Sequence, residues 1–188
     1  MYKDIIRWVI DLIFKPAKTW ELLAKKEETQ EEFLSRFLYP LIGLVTAVAF
    51  VGVLFTQKEF DLELALKSSI RTLVSYFGGF YLGAYLMNEI WHGLFKRERN
   101  MKLWVCFVGY SSSLMYALDI VLTLLPDFFF LQIFFLYTFY IIWEGSGSYM
   151  QVEENARMKF VWFTTFVVLL APFIVEKLLS MLMPGLSF

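Results

Sequence analysis

The sequence predicts an all-α membrane protein, a five-transmembrane-helix bundle with N-terminal amphipathic interfacial helices. Three observations carry that fold class. Hydrophobic residues make up 59% of the 188-residue chain and aromatics 20%, with 21 Phe, above the apolar share of a soluble domain. Five apolar stretches are cut from one another by charge or turn residues. The cleanest, Phe37 to Gln57, holds no Asp, Glu, Lys or Arg over 21 residues, and as a helix it would cover roughly 30 Å, the thickness of a bilayer's hydrocarbon core. Third, the basic residues fall on alternate sides of those stretches.

Taken in order, residues 1–32 are expected to form cytoplasmic or interfacial helices with an acidic linker. Residues 33–188 form the transmembrane domain, with spans at about 37–57, 70–95, 102–125, 128–150 and 159–183. Met1–Phe14 reads as a helix with Lys3, Asp4, Arg7, Asp11 and Lys15 on one face. Ile5, Ile6, Trp8, Val9, Leu12 and Ile13 fill the remainder, the pattern of a helix lying in a membrane interface. Pro16 is placed to open a second helix, Ala17–Glu27, carrying Trp20, Leu22 and Leu23. Glu27, Glu28, Glu31 and Glu32 make an acidic, solvated linker. Two readings stay open for these helices: a lid packed under the bundle, or a device that senses or bends the membrane.

The segment Phe14-Lys15-Pro16-Ala17-Lys18-Thr19-Trp20-Glu21, with Phe37-Leu38-Tyr39-Pro40-Leu41-Ile42-Gly43-Leu44 after the acidic linker, resembles the start of bacterial Yip1-domain proteins. Gly109-Tyr110-Ser111 and the exit from Tyr137 to Tyr149, with Trp143-Glu144-Gly145, are similar to later parts of that family's pattern. The resemblance covers essentially the whole chain and implies five spans in a bacterial inner membrane. It carries no catalytic signature. The Asp-Leu-Tyr-Gly-Pro-type motif of eukaryotic members is absent, so the resemblance implies a fold and not their GTPase-binding role.

Charge gives the orientation. Lys3, Arg7, Lys15, Lys18, Lys25, Lys26, Arg36, Lys96, Arg97, Arg99, Lys102, Arg157 and Lys159 fall on one side, against Lys58, Lys67, Arg71 and Lys177 on the other. The positive-inside rule then predicts a cytoplasmic N-terminus and an external C-terminus. Residues 1–14 carry Asp4 and Asp11 and no small-residue cleavage pattern, so an uncleaved insertion signal is expected.

Helices associate in lipid by close approach and hydrogen bonding. Small residues recur every four positions: Gly43 and Ala47; Ser75, Gly79 and Gly83; Gly109, Ser113 and Ala117. These stripes are expected to be packing seams. Pro40 and Pro172 are expected to kink or end the first and fifth helices, and Phe60–Arg71 to form a short helical lead-in to the second span.

Ionisable residues within spans cost about 2.5–3.5 kcal/mol each on insertion scales and mark candidate sites. An inner layer gathers Asn88, Glu89, His92 and Glu144. Glu89 and His92, three apart on one face, could with Glu144 ligate a metal or share a proton, or Glu89 and Glu144 pair with Lys96, Arg97 or His92 near the headgroups. An outer layer sets Ser112, Tyr116, Asp119 and Thr123 on one helix face, with Glu176 and Lys177 at the same depth and Lys177 as candidate partner of Asp119. It reads as a structural ion pair or as a proton- or ligand-handling crevice.

The sequence has one Cys, Cys106, and one His, His92, with no Gly-rich phosphate loop and no His-Glu-x-x-His. Glu144-Gly145-Ser146-Gly147-Ser148 fails the spacing of a serine-nucleophile turn and is expected to loosen the end of the fourth helix. No cofactor, catalytic residue or nucleic-acid partner is implied. The expected partners are membrane lipids and another membrane protein or a second copy. The leading expectation is a non-enzymatic scaffold that organises membrane, lipids or partners. The alternative is a small transporter or proton-handling subunit, and a metal-dependent membrane enzyme ranks last.

Overall fold

The computed structural model describes residues 2–56 and 61–182. Met1, Gln57, Lys58 and Phe60, which enter the readings above, lie outside the described residues. Regular structure among the described residues is entirely helical, and the chain is an all-α membrane protein.

The N-terminal helices α1 (Tyr2–Phe14) and α2 (Pro16–Ala24) form a hairpin about Lys15, with Pro16 at the start of α2. The Thr19 hydroxyl closes the turn, donating to the carbonyls of Asp11 (3.0 Å) and Lys15 (2.8 Å). The hairpin is docked on the bundle. Trp20 is fully buried, and its indole N–H donates to the Ile141 carbonyl at 2.8 Å. The Tyr137 hydroxyl donates to the Ile13 carbonyl at 3.1 Å.

A capping box at Thr29 and Glu32 starts the first span. There α3 (Gln30–Phe33), a π turn (Leu34–Leu38) and α4 (Tyr39–Thr56) run on as one rod. The π turn lies immediately before Pro40, with the Tyr39 N–H bonded to the Leu34 carbonyl. Proline has no N–H and its ring crowds the preceding turn, so a widened turn accommodates it without ending the helix. Pro172 likewise sits inside α9 (Glu154–Leu182), which continues through it.

Helix α5 (Leu62–Phe95) is 34 residues long and opens at Asp61, whose carboxylate accepts the Leu64 N–H at 3.0 Å. It ends at Lys96 in the left-handed conformation. It lies antiparallel along α9 in one unbroken register. Arg71 meets Glu176 (3.7 Å), Gly79 meets Pro172, the rings of Trp91 and Phe160 lie 5.6 Å apart, and Arg97 meets Glu153 (3.0 Å).

The third span divides at Ser112 into α6 (Met101–Ser111) and α7 (Ser113–Leu124). The Ser112 and Ser113 hydroxyls donate back to the carbonyls of Val108 (2.8 Å) and Tyr110 (2.7 Å), which bends a helix. The fourth span, expected as one α-helix over 128–150, begins instead as a 3₁₀ segment, Pro126–Tyr137. It becomes α8 only at Thr138–Ser148. None of those twelve 3₁₀ residues is buried.

Five apolar crossings were expected, but among the described residues four helices are long and apolar enough to cross a membrane: Gln30–Leu54, Met101–Leu124, Pro126–Ser148 and Glu154–Leu182. The expected second span, α5, is long enough, but its composition is not. Tyr76, Tyr81, Tyr85, Ser75, Gly78, Gly79 and Gly83 dilute its apolar content.

The seams explain where the glycines are needed. A Cβ on Gly79 would stand 2.5 Å from the Pro172 nitrogen, so α5 and α9 touch backbone to backbone. Gly145 is not a loosened end. Its helix runs on to Ser148, and a Cβ there would meet the Trp20 and Phe107 rings at 2.6 and 2.8 Å. Gly109 faces Phe33 and Phe80, and Gly83 makes ordinary contact with Ala171, Val108 and Val167. Ser75 and Ser113 are buried and Ala117 half-buried, whereas Gly43 has open space beside it and Ala47 is exposed. In α4 the close approach is at Gly52, against Thr123. An aromatic cluster of Trp20, Trp91, Trp104, Phe107, Tyr149 and Phe160 joins α2, α5, α6, the end of α8 and α9 within the core.

Candidate functional site

The sequence singled out two polar layers, and the structure distributes them differently. In the first, Glu89 accepts a two-pronged contact from Arg99 at 2.9 and 2.7 Å. The His92 ring nitrogen Nδ1 lies 3.1 Å from the Arg97 carbonyl. Asn88 accepts the Asn100 N–H at 2.9 Å, which fixes the loop between α5 and α6. Glu144 stands on α8 beside Tyr140. Among the described residues no group of three His, Cys, Asp or Glu side chains is arranged to hold a metal. Asn88, Glu89 and His92 therefore tie the α5–α6 loop to the end of α5, and Glu89 finds its cation in Arg99 rather than in Lys96 or Arg97. The fork-to-fork contact suits the planar guanidinium.

The second layer lines a cavity of about 420 Å³ between α5, α7 and α9, closed by Ala49 of α4 and Phe135 of the 3₁₀ segment. That volume lies within the range of about 300–1,000 Å³ typical of small-molecule sites. Asp119 and Thr123 from the expected crevice line it. Ser112 does not; it is buried, and its hydroxyl donates to the Val108 carbonyl. Tyr116 is fully buried behind the wall, edge-on to Tyr76 at 5.1 Å. Lys177, expected to partner Asp119, is exposed and lines no part of the cavity. Successive residues on a helix point about 100° apart, and in α9 it is Glu176 that turns inward, to Arg71.

The sequence reading left Tyr76 unnamed and gave Ser75 only a packing role, yet both complete this site. Tyr76 faces the Asp119 carboxylate. Ser75 is 5% exposed and lines the cavity, and its hydroxyl has no hydrogen-bond partner. Arg71 had served only to orient the chain, although its spacing to Ser75 (i, i+4) puts the two on one face. The cavity thus holds two acids, one guanidinium and several hydroxyls, with an apolar wall of Met115, Leu169 and Phe173. Such a set can hold a polar or cationic group by hydrogen bonds and charge.

A third polar cluster lies under the N-terminal hairpin. There the Tyr110 hydroxyl, buried in the core, donates to the Glu28 carboxylate at 2.8 Å. Lys26 pairs with the same carboxylate at 2.7 Å, so Glu28 is not part of a merely solvated linker.

No curated protein and no solved structure matches the chain. The family model of the Yip1 domain matches residues 10–175, from within α1 to the last turns of α9. With its apolar helices crossing lipid, the chain belongs to the Yip1 domain family.

Proposed function

We propose that the protein is a non-enzymatic membrane scaffold, organising lipids or a partner protein through a surface hairpin clamped to its bundle. One observation carries this reading: α1 has three sectors, not two. Ile5, Val9 and Leu12 are buried against the protein. Lys3, Arg7, Asp11 and Lys15 form a charged row. Between them runs a second apolar row, Tyr2, Ile6, Ile10 and Phe14, exposed by 56, 52, 48 and 75%. A helix meeting only protein and water has no use for that row. A helix at the boundary of protein, water and lipid needs all three sectors.

The same logic leads us to infer five crossings. α5 follows α9 from Arg71 to Arg97 without losing register, so a bilayer around α9 contains α5. Its outward side, Leu62, Leu66, Ile70, Leu73 and Phe77, is exposed and apolar, as lipid contact requires. Five crossings with the basic loops inward put the N-terminus in the cytoplasm of a bacterial inner membrane and the C-terminus outside.

The test is reconstitution into liposomes with imaging of vesicle shape and clustering. Full-length protein should remodel or cluster vesicles, and the Ile6→Asp, Ile10→Asp, Phe14→Asp triple variant should not, while remaining folded. Equal behaviour of the two proteins overturns the scaffold reading. A second reading, a proton- or ion-handling subunit, has one observation in its favour, the acids in the cavity. Flux into the same liposomes that is lost in Asp119→Asn would establish it.

A further inference from the structure

The Asp119 cavity has a chemistry that scaffolding does not use. Its charges are not balanced pairwise. Glu176 has Arg71 at 3.7 Å. No Lys, Arg or His among the described residues forms an ion pair with Asp119, and Tyr76 offers it a hydroxyl. Burying a carboxylate without a cation beside it is costly. Ser75, 5% exposed, also lines this space, and its buried hydroxyl has no hydrogen-bond partner. A buried orphan of that kind calls for an explanation.

We propose that this cavity binds a primary ammonium group, of the kind carried by an ethanolamine phospholipid headgroup, between Asp119, Ser75 and Tyr76. A primary ammonium brings three N–H donors and no acceptor. The lining offers it the Asp119 carboxylate with the Tyr76 phenol oxygen already against it, and the unpartnered Ser75 hydroxyl, which reaches the space by rotating about its Cα–Cβ bond. A bare metal ion suits the site less well, since among the described residues no three acid, imidazole or thiol groups converge. The walls favour a lipid as the source. Leu169, Phe173 and Phe135 line the cavity, and Phe173, 63% exposed, carries that apolar surface out to the flank of α9, where an acyl chain continues it.

This rests on the lipid-contact reading above, but its test is separate. Full-length protein in detergent is titrated with dihexanoyl phosphatidylethanolamine, phosphatidylcholine and phosphatidylglycerol, and bound lipid is read by native mass spectrometry. The ethanolamine lipid should saturate one site. The choline lipid, whose methyls replace the donors, and the glycerol lipid, which has no nitrogen, should bind at least about tenfold more weakly, as loss of a charged hydrogen bond implies. Asp119→Asn should lose a similar factor, and Ser75→Ala, a far smaller cut, should weaken binding severalfold while keeping the fold. Free ethanolamine competing as well as the lipid identifies a soluble amine as the ligand. Competition only at much higher concentration identifies the lipid. Equal binding of all three lipids, or wild-type binding by both variants, overturns the proposal. The Ile6→Asp, Ile10→Asp, Phe14→Asp variant should bind the ethanolamine lipid normally, so failure of the scaffold reading and failure of this site give different results.

Discussion

Removing the Trp20 side chain should release the N-terminal hairpin while leaving the bundle assembled. Trp20 is the point at which α2 enters the core. It is wholly buried, its ring centroid lies 4.9 Å from that of Phe107 and 5.2 Å from that of Tyr149, and its N–H reaches Ile141 at 2.8 Å. Truncating a buried aromatic to Ala costs about 3–5 kcal/mol. Here Gly145 faces the indole closely, so α8 has no side chain of its own with which to refill the space. Trp20→Phe keeps a ring but loses the hydrogen bond, at a cost of about 0.5–1.5 kcal/mol for that bond. Since about 1.4 kcal/mol is tenfold in an equilibrium, amide exchange through hairpin undocking should speed up about a hundredfold or more in Trp20→Ala and up to about tenfold in Trp20→Phe. Hydrogen exchange on the full-length protein, read over residues 2–24 and separately over α9, measures this directly. Acceleration confined to the hairpin is the expected result. Wild-type exchange in α1 and α2 of Trp20→Ala would show that Trp20 does not hold the hairpin, and acceleration spreading equally through α9 would show that the hairpin is not a separate unit.

Gly79→Val should disrupt the α5–α9 seam, because its side chain would meet Pro172 backbone that cannot rotate away. Thermal melting in detergent should fall sharply, and an unchanged melting temperature would mean that the two helices do not touch there. Tyr110→Phe leaves Glu28 without its buried donor, costing about 1.5–3 kcal/mol for a hydrogen bond to a charged group. It should raise proteolysis near Lys25 and Lys26, which quantitative digestion would detect. Glu89→Gln severs only the contact to Arg99 on the surface. It should leave thermal stability and bound metal, measured by elemental analysis, unchanged, and a loss of stoichiometric metal would revive the ligand reading of Glu89, His92 and Glu144.

The lipid-facing fold was legible because hydropathy and charge segregation are one-dimensional properties. Phe37 to Gln57 announces a crossing without any neighbour. The small residues were legible in kind but not in partner: Gly79 and Gly43 look alike in the sequence, yet one abuts Pro172 and the other faces open space. Which face of α4 turns inward depends on the rotation of the whole helix, and no local pattern fixes that. The cavity failed at the same step. Asp119 could be placed by depth, but depth alone cannot tell Glu176 from Lys177, which differ by about 100° of rotation. Nor could the sequence say that Arg99, ten positions along and across a turn, would reach back to Glu89. That pairing depends on Lys96 in a left-handed conformation and on the Asn88–Asn100 bond, which close the loop.

On the five-crossing reading, the low hydropathy of α5 has a physical reason. Hydropathy measures how well a segment tolerates lipid on every side, and a helix placed as α5 is would have lipid on one side only. Its inward face carries Ser75, Gly79, Gly83, Ala84 and Asn88, all buried. On that face small side chains serve contact with α9, and polar ones serve the cavity and the α5–α6 loop. Each of these residues lowers the apolar average while strengthening the interior, since in lipid close approach and hydrogen bonds, and not apolar burial, hold helices together. The apolar residues that remain, Leu62, Leu66, Ile70, Leu73 and Phe77, are gathered on the exposed side. A helix that supplies a bundle's seams and lines its cavity is therefore the one an averaged scale discounts, and in this chain that helix faces both α9 and the Asp119 cavity.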